Sequence, residues 1–160
     1  MSNPTEGYRF HHSMIRIKDP EKSVPFYRDG LGMKLIRKFD FEKANFSLLF
    51  LAYYDGEVPN EPNMEWIFGE RLACVELTHN WGTEKQDGYP YANGNEDVGK
   101  GFGHLAIVVP DVYAACERLE RMGYNIRRKP GPMMGVVNIA FVEDPDKYWI
   151  EIVENKPKNQ

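Results

Sequence analysis

A chain of 160 residues is long enough for one domain with a substantial core or for two small fused modules. Apolar residues at 42%, charged residues at 28% and a net charge of -4 fit an ordinary soluble domain and argue against general nucleic-acid binding. An anionic ligand would need a local basic cluster. No apolar run reaches the length of a membrane span, and the polar stretch Met1 to Gly7 lacks the apolar core of a signal peptide. Cys74 and Cys116 sit inside apolar patterns, so both are expected to be buried reduced thiols, which suits the cytoplasm.

In chain order, His11 to Ile17 alternates like a strand, with His12, Met14 and Arg16 on one face and His11, Ser13 and Ile15 on the other. Asp19-Pro20 supplies an N-cap and a first helical residue, and Gly30 and Gly32 stop that helix. Strands are predicted over Met33 to Arg37 and Phe46 to Tyr53. The stretch from Asp55 to Glu70 is rich in Pro, Asn and Glu and reads as an inserted surface segment, anchored by Trp66, Ile67 and Phe68. Ala73 to His79 is a buried strand carrying one carboxylate, Glu76. Asn80 to Lys100 is a long Gly-, Asn- and Asp-rich connection. The order then repeats: strand His104 to Val109, cap Asp111, amphipathic helix Val112 to Met122 stopped by Gly123, and strands Tyr124 to Arg128, Asn138 to Val142 and Tyr148 to Glu154.

The repeat has a register. His12 precedes Asp19 by seven positions, and His104 precedes Asp111 by seven. Each half reads β-α-β-β-β and ends on a strand with an inward glutamate, Glu76 in the first and Glu151 in the second. The fold class is therefore α+β, as tandem βαβββ modules in a single domain spanning 1–160. Module 1 covers about 9–80, with the insertion at about 55–70. A linker covers about 81–100, and module 2 covers about 101–154.

An ionised carboxylate in a buried strand is costly unless it is paired or bound to a cation. His12, Glu76, His104 and Glu151 together form a mixed nitrogen and oxygen set suited to Zn, Ni or Co, with room for water or a chelating substrate. His11 competes with His12 for the first place, and alternation favours His12 because Arg16 shares its face. His79 is out of phase with Glu76. A metal with open positions stabilises an enediolate, and Glu151 or Glu76 can then act as general base. Neither a nucleophile elbow nor a Walker or Rossmann glycine pattern occurs. Among the basic residues, Arg16 is expected to face inward and to want a carboxylate. A metal-free binding module and a two-histidine, one-carboxylate dioxygenase remain as alternatives on these residues.

The runs His12-Ser13-Met14-Ile15-Arg16-Ile17-Lys18-Asp19-Pro20, Glu76-Leu77-Thr78-His79-Asn80-Trp81-Gly82-Thr83, Gly101-Phe102-Gly103-His104 and Asp144-Pro145-Asp146-Lys147-Tyr148-Trp149-Ile150-Glu151 resemble glyoxalase I, the lactoylglutathione lyase family. The resemblance runs from about Arg9 to Glu154. It implies the vicinal-oxygen-chelate fold and a homodimer with metal sites between subunits. The implied reaction is isomerisation of the methylglyoxal–glutathione hemithioacetal to S-D-lactoylglutathione, by base-mediated proton transfer through a metal-bound enediolate. It places the metal ligands on His12, Glu76, His104 and Glu151, with Glu151 as principal base and Glu76 as its partner. Arg16 and Asn80 match contacts to the γ-glutamyl end of glutathione, and Lys100 stands where an arginine is found in eukaryotic-type enzymes. His104, Met133 and Met134 complete the substrate contacts, the last two on a flexible loop, Gly131 to Gly135, that lacks the lysine common there. Phe41, Phe46, Leu48 and Phe50 match the apolar pocket beside the metal. Members with the insertion after Asp55 tend to use zinc, so Zn(2+) is favoured over Ni(2+) or Co(2+).

Overall fold

Two aspartates start the two main helices in the same way. Asp19 lies in extended backbone and accepts from the Glu21 N–H, opening α1 (Pro20–Pro25), which continues as a wider π-turn over Phe26–Gly30. Asp111 does the same for α3 (Val112–Arg121), accepting from Tyr113 and Ala114, and Gly123 closes that helix at φ 89°. The computed structural model of the chain describes residues 4–96, 101–133, 135 and 137–155. Its strands are β1 (His12–Ile17), β2 (Lys34–Phe41), β3 (Phe46–Ala52), β4 (Cys74–Asn80), β5 (His104–Val109), β6 (Ile126–Met133), β7 (Val137–Glu143) and β8 (Trp149–Glu154). They form two four-stranded sheets, ordered β1-β4-β3-β2 and β5-β8-β7-β6. In each, the first and last strands of the module run parallel at one edge, and the rest is antiparallel.

Alternation then decides what each sheet buries. Ile15, Ile17, Leu49, Leu51 and Leu77 of the first sheet join Ala140, Val142, Ile150 and Ile152 of the second in one core, together with Val24, Phe26 and Tyr27 from the first helix and Cys116 and Leu119 from α3. The modules are thus packed through their helix-bearing faces, and the other face of each sheet is left for chemistry. Polar groups key the joint. Tyr27 Oη donates to Asp144 (2.7 Å), Ser23 Oγ donates to Asp146 (2.6 Å), and the Lys18 N–H also donates to Asp146 (2.6 Å). Burial pushes the Asp144 carboxyl up to about 7, against the hydrogen bond from Tyr27 that favours its charged form. Arg118 adds bonds to the carbonyls of Asp29 and Gly30.

Two sequence expectations change here. The segment after Asp55 is more than a surface excursion. It contains a helix, α2 (Met64–Gly69), capped by Asn63, and it closes a second core of Ile36, Phe50, Ala52, Ile67, Leu72 and Cys74 on the free face of the first sheet. Ile67 is the buried anchor, Trp66 packs against that core with its ring on Tyr54, and Phe68 stays half exposed. Second, β6 runs to Met133, so Gly131, Pro132 and Met133 are strand residues paired with Ile139, Asn138 and Val137 instead of a loop. Proline is tolerated there because β6 is an edge strand, where one side of the backbone needs no partner.

Candidate active site

The free face of the first sheet is fixed by register. Met14 lies beside Glu76 and Phe50 lies opposite it, while Leu48 pairs with Thr78 and Phe46 with Asn80. His12, one pleat before Met14, therefore reaches the same face, and His12 Nε2 lies 3.3 Å from a Glu76 oxygen. The second sheet repeats this. Ala106 lies beside Glu151 and Phe141 opposite it, and His104 Nε2 lies 3.4 Å from a Glu151 oxygen. Two donors bound to one metal at about 2.0–2.2 Å sit about 3.0–3.5 Å apart. Both pairs have that spacing, and an imidazole beside a carboxylate suits a divalent ion. Among the described residues, no three His, Cys, Asp or Glu side chains converge within the chain. Each chain presents two half-sets on separate sheets.

The surroundings of the first half-set are dense. Phe50 is fully buried with its ring 6.1 Å from His12, and Phe39 and Phe68 stand edge-on to Phe50 at 6.2 and 6.3 Å. Farther along, Phe41 stacks on Phe46 at 4.7 Å, so Phe41, Phe46, Leu48 and Phe50 form an apolar strip leading from the His12–Glu76 pair toward Asn80. Thr78 Oγ1 lies 3.5 Å from the second Glu76 oxygen. The Cys74 thiol, on the residue paired in register with His12, is pushed up to about 11, by burial and then by Glu76. Cys116 is likewise raised to about 11 by burial, and both thiols are free. His79 points to the other face and meets Glu84 at 2.9 Å.

His11 is not a rival to His12 but its neighbour in a chain of bonds. The two Nδ1 atoms lie 2.9 Å apart, and His11 Nε2 lies 2.9 Å from the Ile67 carbonyl oxygen of α2. Arg9 secures the end of that helix through the carbonyls of Phe68, Gly69 and Glu70. Phe39 and Thr78 were missed from sequence, Phe68 was read only as an anchor of the inserted segment, and His11 was weighed only as a rival ligand to His12. Only Thr78 carried a signal, since it lies two positions after Glu76 on the same strand.

The remaining candidates are placed unevenly. Arg16 shares the face of His12 but is exposed, and the expectation of a buried guanidinium fails. β1 is the outer strand of its sheet, and the bond that Arg16 makes to Tyr148 of the second module comes from its backbone, which leaves the side chain in solvent. Asn80 Nδ2 donates to Tyr91 Oη of the connecting segment at 2.9 Å. Met133 is exposed at the end of β6. Lys100 and Met134 lie outside the described residues. On the second sheet, Phe141 meets His104 at 5.3 Å, and Arg127 lies over Trp149 and 3.3 Å from Glu143.

Paired βαβββ sheets that each offer a His–Glu couple define the class of the fold, and the chain belongs to the Glyoxalase/Bleomycin resistance protein/Dioxygenase superfamily, whose profile matches residues 9–152. Within it, the chain is 49% identical to the lactoylglutathione lyase of Pseudomonas aeruginosa, over 94% of this chain and 84% of that protein. It is 40% identical to glyoxalase I of Saccharomyces cerevisiae, over 94% of this chain but 46% of the yeast one. The crystal structure of glyoxalase I from Zea mays superposes with a TM-score of 0.73 at 32% identity, covering 94% of this chain and 46% of the maize chain. The chain thus spans about half the length of the yeast and maize proteins. No helix among the described residues is long and apolar enough to cross a membrane.

Proposed function

We propose that the chain is a lactoylglutathione lyase, isomerising the hemithioacetal of methylglyoxal and glutathione to S-D-lactoylglutathione and so detoxifying methylglyoxal. The observation that carries this reading is the repeated His–Glu register on two outward faces, His12 with Glu76 and His104 with Glu151. The names of the relatives at 40–49% identity support the same activity. Two half-sets on separate faces need a second copy to meet. We infer a homodimer in which the N-terminal module of one chain faces the C-terminal module of the other, giving two equivalent sites. The double length of the yeast and maize chains supports this, since such a chain has room for four modules.

His12, Glu76, His104 and Glu151 would hold a divalent ion, zinc by preference and nickel or cobalt as alternatives, which would supply positive charge beside the substrate oxygens. Glu151 takes the proton from the carbon that bears sulfur and returns it to the neighbouring carbon, the hydroxyl proton of the first carbon passing to the oxygen of the second, while Glu76 stands across from it. Arg16, Asn80 and Lys100 hold the carboxylates and amides of glutathione, with His104, Met133 and Met134 against the rest of the substrate. The strip of Phe41, Phe46, Leu48 and Phe50 takes the methyl end and excludes water. Two buried reduced thiols support a cytoplasmic setting. The test is to strip the purified protein with a chelator and restore Zn(2+), Ni(2+) and Co(2+) in turn while following hemithioacetal loss. Activity should return with at least one ion, and silence with all three removes the reading.

A further inference from the structure

The chain of hydrogen bonds behind His12 has only one neutral solution. A carbonyl oxygen can only accept, so the 2.9 Å contact to Ile67 requires a proton on His11 Nε2. A neutral His11 then carries a lone pair on Nδ1. The 2.9 Å contact between the two Nδ1 atoms therefore requires His12 to donate from Nδ1. That leaves the lone pair of His12 on Nε2, the atom 3.3 Å from the Glu76 carboxylate. Two acceptors facing each other at that distance repel unless positive charge lies between them. The ring is also turned by packing, with His11 edge-on at 5.2 Å and Phe68 at 6.4 Å.

We propose that His11 is a positioning residue for the metal site: held by the Ile67 carbonyl, it fixes His12 in the Nδ1–H tautomer and aims its Nε2 lone pair at the ion. This rests on the reading of His12 and Glu76 as half of a metal site. It gives the inserted segment a role in metal retention, because α2 supplies the carbonyl that starts the chain of bonds. The device belongs to the first module alone in sequence terms, since Gly103 stands before His104 where His11 stands before His12. Outer groups that orient a ligating histidine generally change metal affinity by about 10–100-fold when removed.

Two measurements test it. In the Zn(2+)-loaded wild-type protein with 15N-labelled histidine, long-range proton–nitrogen spectra should show His12 protonated at Nδ1 and His11 at Nε2. A His12 ring protonated at Nε2, or a His11 ring protonated at Nδ1, overturns the proposal, and this readout needs no variant to fold. Zn(2+) affinity by competition with a chromophoric chelator gives the second readout. His11→Phe should weaken binding about 10–100-fold. His11→Gln, whose amide can accept from His12 and donate to Ile67, should recover most of that loss. If His11→Phe binds as wild type while His12→Ala loses the ion, His11 does not position the ligand. If wild type and His12→Ala hold Zn(2+) equally, the reading of His12 as a ligand is itself wrong and the proposal falls with it.

Discussion

The two modules share a register but not an environment. Each places a phenylalanine opposite its glutamate, Phe50 across from Glu76 and Phe141 across from Glu151, with a histidine one strand away. In the first module α2 and its aromatic companions cover this arrangement, leaving the side chains of His12 and Glu76 32% and 12% exposed. The second is more open, with His104 and Glu151 side chains at 43% and 20%. Topology alone therefore delivers a His–Glu pair, whereas the shell that covers the first pair comes from material added to the repeat.

The sharpest way to break this comparison is to remove one carboxylate from each module in separate chains. Glu76→Ala and Glu151→Ala proteins should each be inactive. Refolding them together should restore activity, because a mixed dimer gathers both lesions in one site and leaves the other whole. Absence of any recovery despite mixed dimers would mean that the modules do not meet across copies. Next in size, Glu151→Gln should lower kcat by about 10²–10⁴-fold while the protein retains its metal, with a smaller loss for Glu76→Gln. Equal losses would erase the division of labour. In denaturant titrations Phe50→Ala should cost about 3–5 kcal/mol, since the ring is fully buried, and Phe141→Ala clearly less.

Smaller effects follow. Arg16→Ala should raise KM for the glutathione adduct by an amount corresponding to about 1.5–3 kcal/mol, with kcat little changed. An unchanged KM would remove Arg16 from the substrate site. The helix caps give the finest comparison. Asp111→Ala and Asp19→Ala should each cost about 0.5–2 kcal/mol by thermal or denaturant unfolding. The loss should be larger at Asp111, which caps two N–H groups of a ten-residue helix, whereas Asp19 caps one of a shorter helix.

Much of the architecture was legible because it rests on local rules. The seven-residue spacing from histidine to capping aspartate marks each strand–helix unit, and alternation puts Glu76 and Glu151 on the faces opposite Leu77 and Ile152. What escaped depends on contacts between distant segments. The role of His11 was hidden because it precedes the first paired residue of β1, so strand alternation does not govern its ring, and its partner Ile67 lies 56 positions away. Phe39 and Phe68 reach the site from β2 and α2, which no periodicity links to Glu76. Arg16 was assigned the right face and the wrong burial, because a sequence shows which side a residue points to but not whether that side is covered.

The polar joint between the modules carries a consequence for tolerance. A purely apolar seam can slide, but Asp144 and Asp146 accept from Tyr27, Ser23 and the Lys18 backbone in directions that only one alignment satisfies. Ligand constellations work only when placed within about 0.5 Å, and here the two His–Glu pairs sit on the surfaces of separate sheets that face away from the shared core. Any tilt at the joint is magnified at those surfaces, as a loose hinge is felt most at the far edge of a door. In the proposed dimer the buried aspartates would act as a dowel that sets how accurately two copies close a shared site. Substitutions at Tyr27 or Asp144, remote from the chemistry, should blunt catalysis by misaligning the halves even where the fold survives.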